Sequence, residues 1–388
     1  MIIKGAERLE SIKEYYFSEK LRQIDAMNQS GKEVLNLGIG NPDLRPSDTT
    51  TRRLEESLHS EESHRYQSYR SMPRLRKAFA EWYRAHYRVQ LDPEDEILPL
   101  MGSKEGIFYI SMAFLNPGDE VLVPDPGYPT YAAASRLSGA TVRWYPLDAK
   151  HDWHPDLDAI AQEDLSRVKI MWINYPHMPT GANPTLKLFE DLVQFARQHE
   201  LLICHDNPYS FILNEAPMSI FEAAHSKEVA LELNSLSKSH NMPGWRMGML
   251  GGHKQYIDAV LKVHSNVHSG MFRPIQEAAA EALMNPPGWY DALNAEYRVR
   301  RKMVRELLEI LNCTYTTNQA GMFVWAGIPA HAEDAESFTD RILEHARVFI
   351  TPGFVFGNQG NRYLRISLCN NRSVLEESRQ RLIDYMKK

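Results

Sequence analysis

Short apolar runs without polar alternation recur between helical segments from about residue 75 onward. A strand buried on both faces has this continuous pattern, because neither of its faces meets water. Helical segments between such strands indicate βαβ crossovers and a mostly parallel sheet. The sequence therefore predicts an α/β fold with a three-layer α/β/α domain. The predicted strands cover residues 97–101, 120–123, 142–145, 170–173, 201–204 and 229–233.

The pattern changes after about residue 275, where long helical segments are followed by isolated strands. A chain of 388 residues is too long for one small core, and two lobes are expected. We expect a large domain over 46–275 and a smaller α+β domain formed by 1–45 and 276–388. Its predicted elements are a helix over 7–27, a strand at 34–37, helices at 276–284 and 289–311, strands at 323–325 and 363–368, and a helix from 374.

Composition excludes several classes of protein. The net charge of −6 gives no basic surface for nucleic acid. The arginines at 298, 300, 301 and 305 have helical spacing and are interpreted as the wet face of an amphipathic helix. We expect no nucleic-acid partner.

The three cysteines are unclustered and odd in number, so neither a disulfide framework nor a zinc site is indicated. The fifteen histidines lack metal-binding spacing, and we expect no metal. No stretch approaches the ~20 apolar residues of a membrane span, and the N-terminus has no apolar signal core. We therefore expect no membrane partner and a cytoplasmic location.

Lys238 lies in the polar run 234–248, between small hydroxyls and an arginine. A lysine whose pKa is lowered can form a Schiff base with an aldehyde. Arg246 offers a planar guanidinium for a phosphate, and Ser235 and Ser237 can donate hydroxyls to it. This arrangement suits a covalent cofactor that carries a phosphate. A solvated lysine in a polar loop is the alternative for the motif taken alone.

Other candidate residues follow predicted strands, where ligands of parallel sheets bind. Asp206 could hold a protonated ring nitrogen or serve as a cap or turn residue. Gly102 opens a predicted helix whose free N–H groups could bind an anion, although a plain helix cap has the same pattern. Tyr128 could stack on a flat cofactor or pack on the core. Arg365, within an apolar strand, could bind a substrate carboxylate or form an internal ion pair.

Taken together and in this order, these segments resemble the fold-type-I pyridoxal-phosphate aminotransferases of the aspartate-aminotransferase-like class I/II superfamily. The resemblance runs from about residue 35 to residue 367. It implies pyridoxal 5′-phosphate as cofactor, with Lys238 as the Schiff-base lysine, Asp206 at the pyridinium nitrogen and Tyr209 at the ring O3′. It also implies a homodimer with shared active sites, in which Tyr66 reaches the phosphate of the neighbouring subunit.

The resemblance implies the remaining site residues as well. Phosphate ligands are Gly102, Ser103, Lys104, Ser235, Ser237 and Arg246; Tyr128 stacks on the ring; and Arg365, Ile39 and Gly40 bind the substrate. The implied activity is ping-pong transfer of an amino group between an L-amino acid and a 2-oxo acid. A β-lyase on the same scaffold, or a ligand-sensing protein without catalysis, are the alternatives. The sequence does not identify the amino donor.

Two positions depart from the family pattern. Ser71 replaces the usual glycine of the Tyr66 motif. Met178 replaces the asparagine of the family's Asn-Pro-Thr-Gly, which would donate a hydrogen bond to O3′. A thioether cannot donate. We therefore expect the Schiff base of Lys238 to have a higher pKa than is usual for the family.

Overall fold

The structure is a computed structural model that describes residues 2–12 and 16–387. The strands in these residues are β1 (Leu35–Asn36), β2 (Ile97–Leu100), β3 (Glu120–Asp125), β4 (Thr141–Pro146), β5 (Val168–Asn174), β6 (Leu202–Asp206), β7 (Ala230–Ser235), β8 (Gly248–Gly252), β9 (Thr314–Tyr315), β10 (Phe323–Gly327), β11 (Val348–Phe349), β12 (Thr351–Pro352) and β13 (Tyr363–Ser367). The helices are α1 (Tyr16–Gln29), α2 (Asp48–Leu58), α3 (Pro73–Tyr87), α4 (Ser103–Phe114), α5 (Pro129–Leu137), α6 (Leu157–Ala161), α7 (Leu186–His199), α8 (Ser226–Val229), α9 (Leu236–Ser239), α10 (Lys254–His264), α11 (Arg273–Ala282), α12 (Gly288–Ile310), α13 (Ala335–Ala346) and α14 (Arg372–Met386).

Seven strands of the described chain form the central sheet, in the order β2-β8-β7-β6-β5-β3-β4. Neighbouring strands are parallel except at β8, which is antiparallel to both β2 and β7. All six strands predicted for the large domain are strands of this sheet. Strand β8 was not predicted, because three of its five residues are glycine and its apolar run is only Met249 and Leu250.

Side chains of β5 alternate between two separate cores, which shows that both faces of the sheet are covered. Met171 and Ile173 pack in the core that contains α3 and α7. Ile170 and Trp172 pack in the core that contains α4, α5 and α10. The three-layer α/β/α prediction is therefore confirmed. Trp172 is fully buried, and truncating such a side chain to alanine costs about 3–5 kcal/mol.

The C-terminal part of the chain builds a smaller mixed region. Strands β12, β13, β10 and β9 form an antiparallel sheet, and β1 pairs in parallel with β11. Helix α12 packs on α14, which also packs on α13. The backbone N–H of Ser367, the last residue of β13, donates to the backbone oxygen of Leu37, which directly follows β1. This hydrogen bond holds residues 38–43, from the N-terminal part of the chain, against β13.

The helix predicted over 7–27 differs from the structure. The described residues contain a 3-10 helix at Glu7–Ser11 and then α1, and residues 13–15 of the prediction lie outside the described residues. Leu9, an apolar residue within the predicted helix, is 53% exposed. The apolar spacing therefore does not form one continuous buried face.

The arginine-rich face of α12 is also not wholly exposed. Arg300 is buried, and its guanidinium donates to both carboxylate oxygens of Asp43, at 2.6 and 3.0 Å, and to Glu296 at 2.8 Å. The helical spacing predicted that Arg300 lies on the solvent-exposed face of the helix. It is buried instead, because these two carboxylates offset the cost of burying its charge. Among the described residues, no helix is both long and apolar enough to cross a membrane.

Candidate active site

A cavity of about 590 Å³ lies at the carboxyl ends of β6 and β7, where these strands face β13 and the 38–43 segment. Twelve residues predicted from sequence line it: Ile39, Gly40, Ser103, Lys104, Tyr128, Asp206, Tyr209, Ser235, Ser237, Lys238, Arg246 and Arg365. Gly102 directly precedes the lining residues of α4. Tyr66 lies outside the cavity. The fold thus brings together segments that are up to about 325 residues apart in the sequence.

Lys238 lies on the short helix α9, whose N-cap is Ser235. Its Nζ donates to the backbone oxygen of Gly40 at 2.6 Å, which directs the amine into the cavity. Burial lowers the pKa of Lys238, and the charges of Arg365 and Arg246 lower it further. A lower pKa leaves more of the amine unprotonated and nucleophilic near neutral pH. The solvated-lysine alternative does not fit these surroundings.

Asp206 is the last residue of β6 and is buried. Its Oδ2 accepts from the Tyr131 hydroxyl at 2.9 Å, while Oδ1 has no partner among the described residues. Burial raises the pKa of Asp206 to about 6, and the bond from Tyr131 opposes that rise. No helix begins at Asp206, so it is not a helix cap. A buried carboxylate with one oxygen held and the other without a partner among the described residues can accept from a cationic nitrogen.

The other end of the cavity is built to bind an anion. Gly102 is the N-cap of α4 with φ 91°, and a side chain there would clash with Arg246. The Oγ atoms of Ser235 and Ser237 lie 3.0 Å apart, and Arg246 Nη1 donates to the backbone oxygen of Pro243. The N-terminus of a twelve-residue helix, two hydroxyls and a guanidinium therefore converge. This combination suits a phosphate.

The aromatic wall of the cavity contains a residue that the sequence analysis did not single out. Tyr131, on α5, stacks on Trp172 with ring centroids 5.0 Å apart and contacts the edge of Tyr128. This stacking fixes the hydroxyl that donates to Asp206. The signal was present in the spacing, because residues three apart at the start of a helix lie on one face.

Arg365, on β13, contacts residues from several separate segments of the chain. Its Nη2 donates to the backbone oxygen of Gly38 at 2.8 Å, and Nη1 donates to the sulfur of Met178 at 3.1 Å. The guanidinium carbon lies 3.9 Å from the ring centroid of Phe323 and 4.5 Å from that of Phe356. Cation–π contacts of this kind hold the guanidinium in one plane. Met178, which departs from the family pattern, thus contacts the predicted carboxylate-binding residue.

Several of the residues that line the cavity are apolar. Phe17 and Leu21 of α1 line it together with Ile39, Phe323 and Phe356. The contribution of α1 to the site was not predicted from the sequence. Amphipathic spacing shows that a helix has a buried face, but it does not show which part of the protein that face packs against.

Tyr66 is 90% exposed and belongs to the surface of this chain. The adjacent Gln67 backbone packs against Gly270, a position with φ 87° where a side chain would clash with that backbone. The loops around residues 66 and 270 therefore form one surface. No group of three or more potential His, Cys, Asp or Glu ligands lies together in the described part of the chain.

Comparison with known proteins places the chain in one family. The model of the family "Aminotransferase class I and II" matches residues 32–382. The chain belongs to this family. LL-diaminopimelate aminotransferases of Dehalococcoides mccartyi and Aquifex aeolicus are 40% and 38% identical to it, covering 99% and 97% of this chain and 99% and 98% of theirs. Substrate-bound BacF of Bacillus subtilis matches with a TM-score of 0.94 and 33% identity over 99% of this chain and 98% of that one.

The protein is a pyridoxal-phosphate-dependent aminotransferase acting on small amino and 2-oxo acids, as the sequence resemblance implied. The residues of the cavity fit this cofactor. The unpartnered Oδ1 of Asp206, the enclosed amine of Lys238 and the anion site at the start of α4 match its ring nitrogen, aldehyde and phosphate in chemical character.

Proposed function

We propose that Lys238 is the lysine that binds the cofactor covalently and serves as the acid and base of amino transfer. The observation that carries this proposal is that Lys238, Asp206 and Arg365 line one cavity, while Oδ1 of Asp206 has no partner among the described residues. Pyridoxal phosphate, when bound, supplies an aldehyde that condenses with amines and a ring that withdraws electrons from the substrate Cα. Lys238 then moves the proton at Cα, and Asp206 holds the proton on the ring nitrogen.

We propose that the other lining residues bind and orient the reactants. Arg365 holds the substrate carboxylate, so that the C–H bond at Cα faces Lys238. Ser235, Ser237 and Arg246 hold the phosphate together with the N–H groups at the start of α4. Tyr128 covers the ring, Tyr209 contacts O3′, and Gly40 and Ile39 border the substrate.

We propose LL-diaminopimelate as the amino donor. The support comes from full-length relatives at 36–40% identity that carry the name LL-diaminopimelate aminotransferase. The test is a half-reaction: each amino acid is added to the cofactor-loaded protein, and the loss of visible cofactor absorbance is timed. We expect LL-diaminopimelate to give the highest kcat/KM. A tenfold preference for another donor would contradict the proposal.

A second candidate donor is an L-amino acid with an aromatic or large aliphatic side chain. The apolar lining by Phe17, Leu21 and Phe356 favours it. Phenylalanine and leucine therefore belong in the same panel. A β-thio amino acid, assayed for ammonia and pyruvate, separates amino transfer from the β-lyase alternative.

We propose a homodimer whose active sites are shared. Support comes from the surface formed by Tyr66, Tyr69, Val267 and Phe272, which are 90%, 46%, 59% and 43% exposed. Exposed apolar and aromatic side chains of this kind mark protein interfaces. We further propose a cytoplasmic location, supported by three buried, unpaired cysteines. The proposed division is a large domain over 46–275 and a small domain over 1–45 and 276–388, with its boundary inside α11.

The dimer proposal predicts a shared phosphate ligand. Tyr66→Phe removes one hydrogen bond to a charged group, so we expect the cofactor Kd to rise about tenfold. Tyr385→Phe makes the same change on α14 and should leave the Kd unchanged. Analytical ultracentrifugation should give a dimer for both variants. An active monomer would contradict the proposal.

Replacing Met178 with asparagine should restore a hydrogen-bond donor near O3′ of the cofactor. Negative charge left on that oxygen when the Lys238 nitrogen loses its proton is then better stabilised, so deprotonation becomes easier. We expect the pH midpoint of the visible absorbance to fall by about one unit, the effect of one charge-assisted hydrogen bond. Met178→Leu supplies no donor and should leave the midpoint near that of the wild type. Equal midpoints for Met178→Asn and Met178→Leu would refute the explanation.

A further inference from the structure

Two ionisable side chains outside the proposed mechanism are fully buried next to the site. His205 precedes Asp206 on β6, and Glu232 occupies the paired position on β7. His205 Nδ1 lies 2.8 Å from Glu232 Oε2. Buried ionisable groups are costly unless they are paired, so the charge state of this pair has consequences for its neighbours.

The surroundings of Glu232 favour its carboxylate form. Besides His205, it accepts hydrogen bonds from the Tyr83 hydroxyl at 2.7 Å, the Ser219 hydroxyl at 3.0 Å and the backbone N–H of Ile220 at 3.0 Å. An ionised carboxylate accepts at both oxygens, whereas the acid form must donate at one of them. Glu232 is thus surrounded by donors, and its negative charge requires a positive partner.

The surroundings of His205 favour its cationic form. Its Nδ1 faces Glu232, and its Nε2 lies 2.9 Å from the backbone oxygen of Tyr175. A neutral imidazole has a single N–H and would leave one of these oxygens facing a bare nitrogen. The backbone N–H of Tyr175 points at the same Nε2 from the longer distance of 3.3 Å, and it could donate there only to an unprotonated nitrogen. The shorter contact is satisfied only when Nε2 carries a proton.

The pair also joins the strand ends that carry the site. Tyr175 follows Asn174, the last residue of β5, whose side-chain amide donates to the backbone oxygen of Asp206 at 2.5 Å. Glu232 lies on β7, three residues before Ser235, the N-cap of the helix that bears Lys238. His205 on β6 therefore contacts both Glu232 on β7 and the backbone that directly follows β5.

We propose that His205 is a positively charged positioning residue which, with Glu232, holds these strand ends together and keeps Asp206 in its carboxylate form. The second half of this proposal rests on the proposed role of Asp206 at the cofactor ring. Burial raises the pKa of Asp206, whereas the His205 charge lowers it. The other titratable groups around the pair are Tyr83, Tyr87 and Glu222; those around Asp206 are Tyr128, Tyr131 and Tyr209.

The charge of His205 can be measured without any assay of activity. In the cofactor-loaded protein with ¹⁵N-labelled histidine, two-bond ¹H–¹⁵N spectra distinguish an imidazolium from either neutral tautomer. His205→Gln assigns the signal. We expect both ring nitrogens of His205 to be protonated at neutral pH. A signal from a neutral tautomer would overturn the proposal.

Three variants separate the electrostatic role from the structural one. His205→Gln and Glu232→Gln each leave one buried charge unpaired, so each should lower Tm by on the order of 10 °C. The double variant contains neither charge and should recover at least half of that loss. Ser219→Ala keeps both charges while removing one donor to Glu232, and serves as the control.

The decisive readout is the ring nitrogen of ¹⁵N-labelled cofactor bound to the wild type, the double variant and the control. Without the His205 charge the Asp206 carboxylate is less favoured, so the ring should lose its proton at a pH about one unit lower, a tenfold change. Ser219→Ala should not move this pH. An unchanged ring titration in the double variant would overturn the electrostatic role. If Asp206→Asn leaves the ring signal unchanged, the proposed function of Asp206 fails instead, while the His205 charge is judged by its own spectrum.

Discussion

Replacing Lys238 with alanine should lower the rate of amino transfer by at least about 10³- to 10⁴-fold, because both the covalent attachment and the proton transfer at Cα are lost. The anion site and Asp206 are unchanged, so the cofactor should still bind non-covalently. Half-reaction rates and an absorbance titration measure the two properties separately. Substantial residual transfer would contradict the assignment.

A chemical label tests the same assignment in the unmodified protein. Borohydride reduction of the cofactor-loaded protein should attach the cofactor to the peptide that contains Lys238. Lys254→Ala is the matched control, since Lys254 is an exposed lysine paired with Asp95, and it should change neither the label nor the rate. A label on another lysine would refute the proposed mechanism.

Replacing Asp206 with asparagine should have the second-largest effect. Removing one member of a buried charge pair costs about 3–5 kcal/mol, which corresponds to about 10²- to 10⁴-fold in rate. The ring nitrogen then loses the anion that holds its proton, so kcat should fall more than substrate affinity. Asp334→Asn alters the N-cap of α13, where Asp334 accepts from the Ser337 N–H at 2.8 Å. This distant control makes the same chemical change and should leave kcat unchanged.

The same substitution should stabilise the cofactor-free protein against unfolding. Burial raises the pKa of Asp206 to about 6 when no cofactor cation faces it, whereas an unfolded aspartate titrates near 3.9. The contribution of Asp206 to the free energy of unfolding is therefore fully present below about pH 4 and is lost as the pH rises through about 6. At pH 8 the loss amounts to roughly 3 kcal/mol. An asparagine side chain cannot ionise, so Asp206→Asn should raise the stability of the cofactor-free protein at pH 8. The gain should shrink toward pH 5, and a constant gain would show that charge is not its cause.

The sequence by itself determined the architecture of the sheet and the chemistry of the site. Strands buried on both faces have continuous apolar runs, so β3, β5, β6 and β7 could be predicted directly from the chain. Lysine, aspartate, serine and arginine have distinctive chemistry, so Lys238, Asp206 and Arg246 could be singled out by type and spacing. Where a local pattern was weak, as in the glycine-rich β8, the prediction failed.

Only the tertiary structure decided which side chains meet. The burial of Arg300 depends on Asp43, which is 257 residues away, and no local periodicity contains that contact. The pairing of Met178 with Arg365, the support of Asp206 by Tyr131 and the contact between His205 and Glu232 likewise join separate elements. Local sequence sets the hydrophobic period and the residue chemistry, whereas the cost or gain of burying a charge depends on partners that the fold brings from elsewhere.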